Sequence, residues 1–199
     1  VVEPGRWLWS VAWQEGKAYG VSYPAFSQAA EPWLQLLASD DGAAFRPLVP
    51  KLCDQGWANE VALRFDAAST CYALVRRDRR GQEPCSALLG LSKGDYTQWQ
   101  WHDLGPEFNG FGGPNFVQLP SGHWLAAGRM HQDGAHTALC QLDMAEHKMT
   151  KLLRLPSGGD TSYPGLVWHD GLLYMSYYSS HEGKASIYLA RIRIAPQDK

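Results

Sequence analysis

The sequence predicts an all-β fold built from repeated four-stranded blades, a β-propeller. Two observations carry that expectation. Short β-rich runs separated by Gly, Asp, Ser and Pro follow one another along all 199 residues with no sustained helical period. One run–turn–run pattern also recurs. Its fullest copy is the stretch 162–178, where Ser162 and Tyr163 lead into an apolar run, His169-Asp170-Gly171 turns, and Leu172 to Tyr178 returns. The recurrence has a period of roughly fifty residues, and a unit that small cannot bury its own core, so copies must stack. The rival all-β reading, a sandwich of irregular strands, does not account for the recurrence.

The copies follow in chain order. The first blade, expected over 6–50, opens with Trp9-Ser10-Val11-Ala12-Trp13, turns at Gly16 and returns through Ala18 to Tyr23. It continues with Trp33 to Leu37 and the turn Ser39-Asp40-Asp41-Gly42-Ala43-Ala44-Phe45. The second, over 57–104, pairs Asn59 to Asp66 with Thr70 to Arg76. The third, over 110–155, pairs Pro114 to Pro120 with His123 to Arg129. The fourth, over 160–195, ends in Ser186 to Ile194. Met144 to Lys148 makes at most a short turn. All four blades are read as one domain over 1–199.

Composition narrows the function classes. Nine Trp, nine Tyr and six Phe with modest charge indicate a packed globular chain. A net charge of −2 gives no drive toward nucleic acid or an anionic membrane surface, and no apolar run is long enough to span a bilayer. The N-terminus lacks a basic segment followed by an apolar one, so no secretory leader is expected and a cytoplasmic setting stays open. Cys53, Cys71, Cys85 and Cys140 match neither a CxxC pair nor a zinc knuckle, and Cys71 and Cys140 sit in apolar strand patterns that favour buried thiols. The seven histidines show no ligand spacing, so no metal and no cofactor are expected.

Stacked blades converge their innermost strands on one axis, which gathers residues just before those strands onto one face. Glu60, Asn115 and Tyr163 are the candidates there, with Arg76, Arg129 and Tyr178 at the corresponding places of the second strands. Arginine presents a planar fork that matches a carboxylate with two parallel hydrogen bonds, so this set suits an acidic sugar. Asp160 stands just ahead of Tyr163, as a turn residue or a site neighbour. Arg76-Arg77-Asp78-Arg79-Arg80 reads as a solvated loop with only Arg76 turned inward. Trp7, Trp9, Trp57, Trp124 and Trp168 are candidates to stack on sugar rings, although Trp13 and Trp168 match each other in the repeat and are expected in the core.

The turn at Ser39 to Phe45 resembles the Asp box of sialidase-type blades, and Ser92 to Trp99 looks like a degenerate second copy. Glu60 precedes Arg76 across one blade, and Arg129 precedes Tyr163 into the next. On these residues the whole chain resembles the exo-α-sialidase type of glycoside hydrolase, a six-bladed propeller family. The resemblance implies that about four of the six blades are present. It further implies Tyr163 as the nucleophile, Glu60 as the group polarising its hydroxyl, and Arg76 and Arg129 as two members of a carboxylate clamp. The family's first clamp arginine and its acid/base aspartate come from blades without a counterpart here. The implied function is a sialidase-like hydrolase, or a remnant of one, binding an acidic sugar. The alternatives are a non-catalytic carbohydrate-binding module and an assembly module that forms homo-oligomers through open blade faces.

Overall fold

The computed structural model describes residues 3–25 and 33–194. Residue 195, where the last blade is expected to end, lies outside them. The chain forms the expected β-propeller fold of consecutive blade sheets. β1 (Arg6–Gln14), β2 (Lys17–Pro24), β3 (Leu34–Ser39) and β4 (Arg46–Cys53) make the first sheet. The second comprises β5 (Trp57–Phe65), β6 (Cys71–Asp78), β7 (Leu88–Ser92) and β8 (Gln100–Asp103). The third comprises β9 (Gly112–Gln118), β10 (Trp124–Met130), β11 (His136–Asp143) and β12 (Lys148–Arg154). The fourth holds only β13 (Thr161–His169), β14 (Leu172–Ser179) and β15 (Ser186–Ile192) among the described residues. Within each sheet every strand pairs antiparallel with the next in sequence, because turns this short join only antiparallel neighbours.

The chain divides into two compact units, Val1–Phe111 and Gly112–Lys199, with two sheets in each. In the first, β5 packs against β1 and β2 around Val21, Leu34, Leu36, Val61, Leu63 and Val75. In the second, β13 packs against β9, β10 and β11 around Leu125, Ala127, Leu139, Leu173 and Met175. Strand composition follows burial. Cys71 to Val75 in β6 and Trp124 to Gly128 in β10 are buried without interruption and read as continuous apolar or small-residue runs. In β14 every second residue is buried, as in a strand covered on one face. Val167, Ile187 and Leu189 on the fourth sheet are 60%, 85% and 65% exposed, so one of its faces is open.

Each sheet's first strand carries a register shift against its second. The shifts fall between Leu8 and Val11, Ala58 and Val61, Gly112 and Asn115 (opposite Ala127 and Arg129), and Ser162 and Gly165. A bulge inserts one unpaired residue, bends the strand and re-aims the side chains beside it. Here it turns Glu60 in β5 and Tyr163 in β13 out of the regular alternation.

Two sequence expectations are overturned locally. Arg77 is 2% exposed, so it turns inward beside Arg76; its Nε donates to the Ser86 carbonyl at 2.6 Å and its Nη2 pairs with Asp103. The buried pairing outweighs the solvation that a basic run ordinarily favours. Trp13, expected in the core, is 57% exposed and lies over the Gly42 turn. Its partner in the repeat, Trp168, does pack against the second unit's core. All four cysteines are buried free thiols, and burial pushes the Cys71 thiol well above its usual range.

Candidate functional site

The bulge in β5 places Asn59 and Glu60 together opposite Arg76 of β6. Asn59 Oδ1 accepts from the Glu60 amide at 2.7 Å, and its Nδ2 donates to Asp78 Oδ2 at 2.8 Å. Arg76 closes the ring by donating from Nη1 to Glu60 Oε2 at 2.9 Å and from Nε to Asp78 Oδ1 at 2.8 Å. Glu60 is 6% exposed. Burial alone would lower the Arg76 pKa, but the charges and hydrogen bonds of Glu60 and Asp78 outweigh it and the net direction is upward. Above the ring opens a cavity of about 240 Å³, lined also by Trp7, Tyr23, Pro24, Ala25 and Trp57. Trp7 is 58% exposed and meets Tyr23 edge-on with ring centroids 5.9 Å apart. Arg80 stacks over the far aromatic wall, 4.4 Å from the Trp57 ring centre.

A second polar group stands in the other unit. Asp160 Oδ1 accepts from Arg129 Nη1 at 3.2 Å and from the Tyr178 hydroxyl at 2.7 Å. Burial first, then the bond to Asp160 and its charge, push the Tyr178 hydroxyl up to about 12. The Arg129 side chain lies along the backbone of Gly112, and its Nε is buried with no hydrogen-bond partner among the described residues. Tyr163, 49% exposed, holds its ring 5.6 Å from that of Tyr178. Its backbone φ of 51° lies in the left-handed region, which costs a bulky residue about 1–3 kcal/mol. At the β9 bulge the corresponding left-handed residue is Gly113, with φ 59°.

Of the residues named from sequence, Glu60 and Arg76 form an ion pair in the first unit; in the second, Arg129 and Tyr178 both bond Asp160 and Tyr163 packs on Tyr178. Asn115 acts as a strand tie: its Nδ2 donates to the Pro164 carbonyl at 2.8 Å and its Oδ1 accepts from the Phe116 amide at 2.9 Å. The Ser162 hydroxyl makes a parallel link to the Gly112 carbonyl at 2.8 Å. Sequence reasoning missed Asn59 and Asp78. The signal for Asp78 was its spacing from Arg76, since residues two apart on a strand share a face. No group of three or more His, Cys, Asp or Glu suited to hold a metal ion occurs among the described residues, and no helix there is long and apolar enough to cross a membrane.

Consecutive antiparallel blades of this pattern make a β-propeller, and the chain shares that fold with several solved structures. An endo-1,4-β-xylanase from Bacteroides thetaiotaomicron shares the fold with a TM-score of 0.65, at 11% identity over 95% of this chain and 72% of its own. An endo-arabinase from the same organism gives 0.67, at 16% identity over 93% of this chain and 74% of its own. A xylan β-1,4-xylosidase from Bacillus halodurans gives 0.60 at 18% identity, with 93% of this chain covering only 39% of that enzyme. All three neighbours are longer than this chain, and at these identities the likeness is one of fold. No protein-family model matches the sequence, and no curated protein matches it at a significant level.

Proposed function

We propose that the protein is a carbohydrate-binding propeller whose sugar site is the cleft of the first unit. The carrying observation is the exposed Trp7 beside the closed ring of Asn59, Glu60, Arg76 and Asp78. A sugar ring offers an apolar C–H face that packs on an aromatic side chain and a rim of hydroxyls that seek fixed donors and acceptors. Glu60 and Asp78 line the cleft with carboxylate oxygens, the acceptors that sugar hydroxyls seek. One arginine against two carboxylates leaves the ring with a formal charge of −1. A neutral sugar fits that balance better than an acidic one. The names of the fold neighbours, a xylanase, an arabinase and a xylosidase, point the same way.

The sialidase-type reading makes different demands. It pairs Tyr163 with Glu60 as nucleophile and activator, and it needs arginines available to a substrate carboxylate. Arg76 is already engaged by two carboxylates and Arg129 by one, which favours binding of neutral hydroxyls over a carboxylate clamp. Calorimetric titration with xylose, arabinose and galactose oligosaccharides and with sialyllactose separates the readings. A neutral oligosaccharide is expected to bind and sialyllactose to be silent, with affinity falling about tenfold in Trp7→Ala. Binding of sialyllactose alone, abolished by Arg76→Ala, would replace this proposal with the clamp. Loss of sialoside turnover in Tyr163→Phe would then support the nucleophile role.

A second reading is favoured by the open face of the fourth sheet. Val167, Ile187 and Leu189 present branched apolar side chains to solvent, a composition suited to association with another copy of the chain.

A further inference from the structure

We propose that Tyr163 is a pre-set stacking platform for a neutral sugar ring in the second unit; this rests on the carbohydrate reading above. Seven non-glycine residues among those described have left-handed backbones. Six lie in turns or loops between strands: Glu15, Ser69, Tyr96, Asp133, His147 and Asp170. Tyr163 alone lies inside a strand.

The other aromatic of the set shows what ordinarily offsets such strain. Tyr96 is 6% exposed and its ring is enclosed by Tyr19 and Phe65 at 5.3 and 5.4 Å. Tyr163 is half exposed, so burial compensates far less. The fold does not require a side chain there either. The bulge in β9 has glycine at the left-handed position and proline next, Gly113-Pro114, where β13 has Tyr163-Pro164. A strained, exposed aromatic where glycine suffices is the pattern of a residue kept for contact with something else.

The surroundings define what that contact takes. The tyrosine ring is braced by Tyr178 on one side and lies over Gly113, which has no side chain to displace it. A ring fixed before binding loses little freedom on contact. Beside it Asp160, 69% exposed, offers acceptor oxygens, and its charge is balanced by Arg129. An aromatic face next to a charge-neutral polar rim matches a neutral sugar ring, as the end or an inner unit of a glycan.

The test uses the full chain and whichever xylose, arabinose or galactose oligosaccharide binds the wild type most tightly. Tyr163→Gly removes the ring and relieves the backbone; it is expected to weaken binding about tenfold. Its Tm is expected to hold or to rise by about 2–4 °C. Tyr163→Phe keeps the ring and is expected to bind within about twofold of wild type. Unchanged affinity in Tyr163→Gly overturns the platform, and so does lost affinity accompanied by a fall in Tm, which would make the ring structural. Equal losses in Tyr163→Phe and Tyr163→Gly would shift the role to the hydroxyl and overturn it too. A wild type that binds none of the panel sinks the carbohydrate reading and this inference together. Binding that Trp7→Ala weakens and Tyr163→Gly does not sinks this inference alone.

Discussion

At Arg77 a permanent charge is almost completely withdrawn from water, and the neighbouring groups answer for it. Asp103 accepts from the guanidinium and from the Ser86 hydroxyl, and Arg77 Nε donates to the Ser86 carbonyl. Burial alone would raise the Asp103 pKa; its bonds to Ser86, the Gly105 amide and Arg77 reverse that and lower it. Asp103→Ala strands the guanidinium and is expected to cost about 2 kcal/mol in urea unfolding, less than for a fully enclosed pair because Asp103 is half exposed. The pH dependence follows in sign. With the folded pKa below the unfolded one, this stability is present above about pH 4 and is lost as pH falls through the folded value. Asp103→Asn is expected to flatten that acid limb. From sequence the five-residue basic run looked solvated, because charge type alone does not tell which residues a strand turns inward. Glu60 and Arg76 were both singled out from sequence, but as an activator of Tyr163 and a clamp residue; that they pair with each other came from the structure.

The bulges are the elements that make the sites. In β5 and β13 they turn Glu60 and Tyr163 out of alternation; in β9 the same device brings Gly113 against Ser162 and Tyr163. A methyl group at Gly113 would collide with the Tyr163 ring and the Ser162 hydroxyl, at a backbone angle that disfavours any side chain. Gly113→Ala is therefore expected to destabilise by about 2–3 kcal/mol in chemical unfolding. The loops between third and fourth strands share another device. Asp41, Asp95 and Asp143 each accept from backbone amides two or three residues ahead. The first two loops carried a glycine that marked them in the sequence; Asp143-Met144-Ala145-Glu146 lacks it, and Met144 to Lys148 was read there only as a short turn. Hydrogen bonds from Ala44, Ala43 and Ser39 lower the Asp41 pKa to about 2. The turn is therefore expected to stay closed above about pH 4 and to open as pH falls toward 2. Amide exchange at Ala43 and Ala44 reads this, and Asp41→Asn should remove the pH dependence.

For the molecule as a whole, the assembly reading rests on the open apolar face of the fourth sheet. Ile187 and Leu189 on β15 are among its most exposed apolar residues, so lysines there leave both cores untouched. Wild type is expected to show concentration-dependent self-association in sedimentation at tens of micromolar, and Ile187→Lys with Leu189→Lys to sediment as a monomer. A wild type that stays monomeric would remove the assembly reading. The propeller itself was legible because strand periodicity and turn residues are local signals that repeat in each blade. The sialidase likeness rested on one Asp-box-like turn with a degenerate copy and on spacings between single residues. Such spacings recur wherever blades repeat, so they distinguish poorly among propellers.

By itself the sequence determined the β-propeller fold of repeated blades and the burial of the Cys71 and Cys140 thiols. Each follows from short-range alternation or from a repeat. The tertiary structure decided that Arg77 is buried and Trp13 exposed, that Asp78 and Asn59 complete the ring, and that Tyr163 is held at a left-handed backbone angle. The physical reason lies in the bulges: one unpaired residue changes which side chains share a face, and only the pairing of strands fixes where it falls.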